Sequence, residues 1–261
     1  MYEAVHPYPD GRSTPARYAR EAARGGFEGV VVRGRSAVDE GCGAGRADGG
    51  DGGGGDGDNG DTPAGPFGAV ADRYGLDVVD AVEVSGDDRS SVSGAIGNYR
   101  PKTTLLLVRG GDDDVNRLAV EQVQVDVLTR PMRGDGGFNH VLAKAARDNG
   151  VRVEFDLSSV LRRDGGHRVQ ALQDLRLLRK LVTKFDVPYV VSANPRSHLQ
   201  LRAPRELAAL GEVVGFEAAE IREGLAEWGR LAARNRERSS DSFIAPGVQR
   251  GRYEEDHRGT R

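Results

Sequence analysis

The chain has 261 residues, 38% of them hydrophobic and 30% charged, with a formal net charge of −3. That length suits one large core or two small ones. A single cysteine, Cys42, excludes an intramolecular disulfide and a cysteine-based zinc site. No basic-then-apolar leader opens the sequence, and no apolar run approaches the roughly 18 residues of a membrane span, so a cytoplasmic, soluble protein is expected.

In chain order, residues 1–7 give a first strand ending at Pro7. A helix over 13–26 follows, with Ser13 as its cap and Gly25 and Gly26 as its stop. A buried strand is centred on Val30–Val32. Residues 36–64 are mostly Gly, Asp and Ala and offer almost nothing to bury, which predicts a disordered insertion. It carries seven acids and one arginine, a net of −6, leaving +3 for the rest of the chain. The folded body is therefore mildly basic, which permits contact with nucleic acid without demanding it. Only four of the 37 basic residues are lysine. The acidic loop would suit a high-salt cytosol.

After the insertion, a short helix ends at Gly75 and a strand spans 76–86. A weak helix follows, then a strongly apolar strand at 103–111. Asp112–Asp114 open the next helix at its positive end. A strand over 123–131 stops at Pro131. The helix over 138–150 places Phe138, Val141, Leu142 and Ala145 on one face. A strand and irregular chain lead into the longest helix, 167–186, whose stripe is Val169, Leu172, Leu175, Leu178, Leu181, Val182 and Phe185. A last strand precedes helices at about 203–210 and 216–235, the second burying Ile221, Leu225, Trp228 and Leu231. Residues 236–261 read as a flexible tail.

Apolar strands alternating with amphipathic helices about seven times predict a parallel sheet. No glycine-rich phosphate loop follows any strand, so the nucleotide-binding folds are disfavoured. The expected architecture is α/β: one irregular TIM-type (β/α) barrel, a single domain of residues 1–35 and 65–235.

Active sites of such barrels lie at strand C-terminal ends. His6 ends the first strand, where a metal ligand could sit, but the position two before it is Ala4, so half of an HxH pair is missing. Asp126, Glu154 and Asp156 lie near strand ends without a matching histidine set. His140 and His167 read as solvated, and no Ser-His-Asp or Cys-His set is legible. The basic residues cluster better. Arg196, His198, Arg202 and Arg205 follow the last strand and surround a helix start, where an external anion such as an RNA phosphate could bind. Arg176, Arg179, Lys180 and Lys184 line one side of the long helix, for which the plain alternative is a solvated face.

At these residues the sequence resembles a known family. "VDVLTRP" (125–131), "NHVLAKAARDNGVRVEFDLSSVL" (139–161) and "VVSANPRSHLQLRAPRELAALGEVVG" (190–215) are similar, in this order and spacing, to archaeal ribonuclease P protein component 3. The resemblance covers 1–35 and 65–235. It implies an irregular TIM-type barrel serving a ribonucleoprotein that removes the 5′ leader from precursor tRNA. Catalysis would belong to the RNA and its Mg²⁺, with no catalytic residue, metal or cofactor on this chain. The implied partners are the ribonuclease P RNA, a smaller ferredoxin-like subunit, the other ribonuclease P proteins and the precursor tRNA substrate. The barrel is also distantly similar to metal-dependent phosphoesterases, of whose metal site His6 would be a remnant. The alternative from another class is a stand-alone metal-dependent phosphoesterase of the barrel type. A small-molecule barrel enzyme is a weaker third reading, lacking any cofactor motif.

Overall fold

The computed structural model describes residues 1–35, 67–86 and 88–240, with the backbone of 243–245 and 248–249. The expected disordered insertion and most of the expected tail lie outside the described residues.

Seven strands form the frame: β1 (Tyr2–Val5), β2 (Gly29–Arg35), β3 (Asp77–Val84), β4 (Leu105–Arg109), β5 (Val127–Thr129), β6 (Arg152–Asp156) and β7 (Tyr189–Ser192). All neighbours pair in parallel, in chain order. Strands β4, β5 and β7 are near-continuous apolar runs because both of their faces are covered, whereas β3 and β6 also carry charged residues. Helices fill the crossovers: α1 (Pro15–Gly25), α2 (Gly68–Tyr74), α3 (Arg89–Tyr99), α4 (Asp113–Glu121), α5 (His140–Asn149), α6 (Ser158–Arg162) and α7 (Gly165–Phe185). After β7 come α8 (Pro204–Val214) and α9 (Ala218–Arg238), then a small antiparallel pair, β8 (Phe243–Ala245) and β9 (Val248–Gln249). The result is a nearly closed α/β barrel of TIM type.

No backbone ladder joins β7 to β1. The seam is bridged by the buried carboxylate of Glu3, which accepts from Ser192 Oγ at 2.6 Å and from the Ala193 amide at 3.0 Å. At its upper end the His6 amide donates to the Pro195 carbonyl at 3.0 Å.

Helix α9 crosses the seam and continues beneath the barrel. Gly224 packs on the Tyr189 and Val191 side chains and Gly229 on the Tyr2 ring, where a Cβ would collide with both. Trp228 joins the interior layer of Ala4, Val31, Val79, Ala81, Leu105, Leu107, Val127 and Val190, and its indole N–H donates to the Val191 carbonyl at 2.9 Å. That carbonyl belongs to an edge strand, so the indole supplies the partner that a neighbouring strand would have given. Farther along, Asn235 donates to Thr104 O, Arg234 to Asp126 and Arg236 to Asp77, all at strand entrances. One end of the barrel is therefore plugged, and the other is open.

The structure differs from the sequence reading in several places. Thr14, not Ser13, caps α1. Val141 is exposed on α5, whose buried face is Leu142, Ala143 and Ala146. On α7 only Leu175, Leu178 and Val182 are buried, and Val169 faces solvent. Strand β5 is three residues long and Val123 lies outside it, exposed. Helix α9 continues to Arg238, past the expected end at 235. Among the described residues, no helix is long and apolar enough to cross a membrane.

Candidate functional site

The open end lies at the strand C-termini, and polar groups fill it. Polar or charged side chains stand at the strand C-terminal ends: His6 just past β1, Arg33 on β2, Glu83 on β3, Arg109 on β4, Thr129 on β5, Glu154 and Asp156 on β6, Ser192 on β7. Below them an interior layer of Ala4, Val31, Val79, Ala81, Leu105, Leu107, Val127 and Val190 fills the barrel, β6 alone adding no apolar side chain to it. A packed apolar base under a polar mouth is the usual arrangement of such barrels.

The ions pair across the barrel. Arg33 is fully buried and donates to both oxygens of Glu154, through Nη2 to Oε1 and through Nη1 to Oε2 at 3.3 Å. Its Nη1 lies 3.9 Å from Glu83, and its guanidinium carbon sits 5.2 Å from the centre of the Trp228 ring. Arg109 reaches Glu83 at 3.4 Å and Arg130 reaches Asp156 at 2.8 Å. Burial alone would raise the Glu83 and Asp156 carboxyls, but the facing arginines outweigh it and hold both below the usual range, Arg33 acting most on Glu83 and Arg130 on Asp156. His6 is neutral: burial, then the Arg33 charge, push its imidazole down to about 3.

This arrangement does not suit a bound divalent cation. The carboxylates that could ligate one face guanidinium groups instead, and Arg33 occupies the place among His6, Glu83 and Glu154 that a cation would need. Asp126, read in sequence as a possible mouth acid, lies at the opposite end under α9.

A cavity of about 1080 Å³ extends from the mouth toward α6 and α7. Arg130, Arg133, Arg162, Arg163 and Arg196 line it against three carboxylates, those of Glu154, Asp156 and Asp174. Two of its residues hold the left-handed backbone conformation that side chains other than glycine rarely adopt: Arg130 and Asn194, both at φ 50°. Both reach the same carboxylate oxygen, Asp156 Oδ2, at 2.8 and 2.9 Å.

The residues singled out by sequence are distributed rather than gathered. Arg196 lies on the cavity wall. His198 and Arg202 line a separate groove of about 450 Å³ with Arg20 and Arg24 of α1. His198 is also a bolt between loops: its Nδ1 lies 2.8 Å from Ser13 Oγ, and its amide donates to the same oxygen at 3.0 Å. Arg205 is exposed on the first turn of α8. On α7, Arg176 donates to the Val213 carbonyl at 2.9 Å, and Arg179 stacks 5.0 Å from the Phe216 ring while pairing with Glu220 at 3.5 Å. Arg179 is thus committed to packing the α8–α9 corner. Lys180 and Lys184 are exposed, Lys184 near the Phe185 ring. The mouth ions Arg33, Glu83, Arg109 and Arg130 escape a reading of single segments. Their signal is a charge placed in phase with the buried face at the end of an apolar run, as in "VVVRG" and "VEVS".

The model of the family described as RNase P subunit p30 matches residues 1–240. The chain is 57% identical to ribonuclease P protein component 3 of Halorubrum lacusprofundi, covering 98% of this chain and all of that one. It is 51% identical to the protein of the same name from Haloarcula marismortui, over 95% and 96% of the two chains. Its fold is similar to a chain in the cryo-EM structure of archaeal ribonuclease P with mature tRNA, with a TM-score of 0.75, 22% identity and coverage of 95% and 97%. The open, arginine-paired mouth thus sits on a barrel whose sequence, over nearly its whole length, belongs to the RNase P subunit p30 family.

Proposed function

We propose that this chain is a protein subunit of ribonuclease P, the ribonucleoprotein that cleaves the 5′ leader from precursor tRNA. The observation that carries the reading is family membership over residues 1–240, joined to the ion-paired mouth. A hydrolase of the barrel type needs carboxylates free to take metal or protons. Here those side chains hold guanidinium groups, so the stand-alone phosphoesterase is disfavoured. Cleavage then belongs to the RNA and its Mg²⁺, and the protein contributes surface and rigidity.

On this reading Arg196, Arg202 and Arg205 supply phosphate contacts, with Lys180 and Lys184 as outlying ones. His198, Arg176 and Arg179 act as positioning residues for the loops and helices that carry them. A ferredoxin-like protein subunit is the expected protein partner, and the cytoplasm the expected compartment. Depleting the chain from its cell tests the role directly. Transfer RNAs bearing 5′ leaders should accumulate while their 3′ processing continues; unchanged leaders would overturn the proposal.

A further inference from the structure

Single apolar side chains scattered on a protein surface are ordinary. Leu199 differs in two ways. It is 77% exposed, more than any other large apolar side chain among the described residues. The short turn that carries it, His198–Gln200, is also fixed from several sides. The His198 amide and ring both engage Ser13 Oγ, the Arg196 amide donates to Gln200 Oε1 at 2.9 Å, and the Arg12 amide donates to the Arg196 carbonyl at 2.7 Å. Gly11 lies so close to this loop that a Cβ there would stand 2.8 Å from the Arg196 carbonyl. The loop therefore cannot swing Leu199 inward, and the burial that a leucine side chain could contribute is forgone in the isolated chain.

Leu199 stands over the groove of about 450 Å³ that runs between α1 and the start of α8, where Phe27, Leu201 and Ala203 add further apolar lining. Three arginines, Arg20, Arg24 and Arg202, line it against one carboxylate, Glu21. The single oxygen Glu21 Oε1 accepts from Arg20 at 2.9 Å and from Arg24 at 3.3 Å, so the groove keeps a surplus of positive charge. An RNA phosphate would answer the arginines and bring nothing for Leu199. A nucleobase calls for an open aromatic face to stack on, but Phe27 is 5% exposed and the His198 ring is held on Ser13. Leu199, Leu201 and Ala203 offer rounded aliphatic surface instead, which packs against another side chain. A peptide segment with an apolar side chain between carboxylates answers both the charge and the apolar lining.

We infer that this groove is a protein-docking site, which takes one bulky apolar side chain of another ribonuclease P protein against Leu199, Leu201 and Phe27, with flanking carboxylates of the same segment on Arg20 and Arg24. The loop is fixed before the partner arrives, so docking costs little ordering of this chain. Arg202, assigned above to a phosphate, is not needed for it. The inference rests on the subunit reading and deepens it, by separating a protein contact on the flank of the barrel from the RNA contacts.

The test uses the full chain. The other ribonuclease P proteins of the same organism, purified singly, and the ribonuclease P RNA are each titrated by calorimetry at fixed ionic strength into the parent, Leu199→Ser, Arg24→Glu and Val123→Ser. Val123 is 73% exposed and does not line the groove, so it serves as the control. Both serine changes lie on the surface and should leave the melting temperature unmoved. Expected is one protein that binds the parent, about tenfold more weakly to Leu199→Ser and to Arg24→Glu, and equally to Val123→Ser. RNA affinity should not change in Leu199→Ser. Failure of every one of these proteins to bind the parent, binding unmoved by Leu199→Ser, or equal losses in Leu199→Ser and Val123→Ser would overturn the inference. Weaker RNA binding by Leu199→Ser with protein binding intact would make the groove an RNA site and overturn it too. Reconstituted precursor-tRNA cleavage separates the two claims. Stimulation by the parent together with protein binding unmoved by Leu199→Ser would sink the docking site and leave the subunit role standing; no stimulation by the parent would sink the subunit role itself.

Discussion

Arg33 and Glu154 form a fully buried ion pair that spans the barrel from β2 to β6. The two strands are not neighbours in the sheet, so the pair is a strut across the interior rather than a rung of a ladder. Burial of two charges is costly, and their attraction offsets that cost only while both are present. Glu83 and the Trp228 ring hold the remaining faces of the guanidinium. The strut keeps the strand ends at fixed separations, on which any surface built from the loops above depends.

Breaking the strut should therefore cost more than removing it. Arg33→Met is expected to lower unfolding free energy by about 3–5 kcal/mol, because Glu154, whose carboxyl burial already pushes up, is left buried without its partner. Arg33→Met combined with Glu154→Gln should recover a large part of that loss. Urea denaturation of the two variants decides it; a double variant as unstable as the single would contradict the account.

The plugged end makes a different prediction. Trp228→Ala empties the largest side chain of the interior layer and frees the Val191 carbonyl, for an expected loss of about 3–5 kcal/mol. Asn235→Ala, which breaks the bonds to Thr104 and Asp126 and the one accepted from Arg234 Nε, should cost less, about 1–3 kcal/mol. Equal losses would mean that α9 is held by its polar end rather than by the indole.

Glu3 gives the seam a pH dependence. Burial pushes its carboxyl up to about 7, above the ordinary 4.5, against the hydrogen bonds from Ser192 and Ala193. The folded state therefore holds that proton more tightly than the unfolded chain does. Its contribution is complete below about 4.5 and is lost as pH rises through about 7. Glu83 and Asp156 run oppositely: their contribution is present above the ordinary carboxylate range and disappears on further acidification. Glu3→Gln should thus gain on the parent between pH 5 and pH 8, by on the order of 3 kcal/mol. Thermal melts across that range test it, and a constant difference between the two proteins would refute the seam assignment.

The exposed arginines should behave as phosphate contacts. Arg202→Ala and Arg205→Ala are expected to leave the melting temperature within about 2 °C, since surface changes stay near ±0.5 kcal/mol. Each should reduce the slope of log affinity against log salt by about 0.7–0.9 if it removes one phosphate contact. His198→Ala should show the reverse pattern, losing stability through the Ser13 contacts and leaving the slope intact.

The barrel was legible because its strands are buried on both faces and its helices carry their own stops. Residues 103–111 could be little else than a covered strand, and the αL glycines at 26, 75, 150 and 215 end helices where the pattern lapses. Trp228 was correctly placed on the buried face of α9 because a full turn of apolar neighbours marks it. The mouth was not legible, because it depends on register. Arg33 reads as a solvated break in "VVVRG" until the β2–β3 pairing turns it inward. The loop-bolting role of His198 is hidden in the sequence, where it is an RNA- or partner-binding candidate, because its partner, Ser13, lies 185 residues earlier. Val169 and Val141 fit the apolar stripes of their helices yet face solvent, because period alone does not say how far along a helix the covering layer extends.

The most direct test is reconstituted cleavage of precursor tRNA by the cognate RNA and the remaining protein subunits at modest Mg²⁺, with and without this chain. The account predicts RNA-dependent 5′ cleavage that rises at least tenfold on adding the chain, and no phosphoester hydrolysis by the chain alone with Mg²⁺ or Mn²⁺. Metal-dependent hydrolysis by the isolated chain, with no effect on the RNA reaction, would contradict it and restore the barrel to an enzyme in its own right.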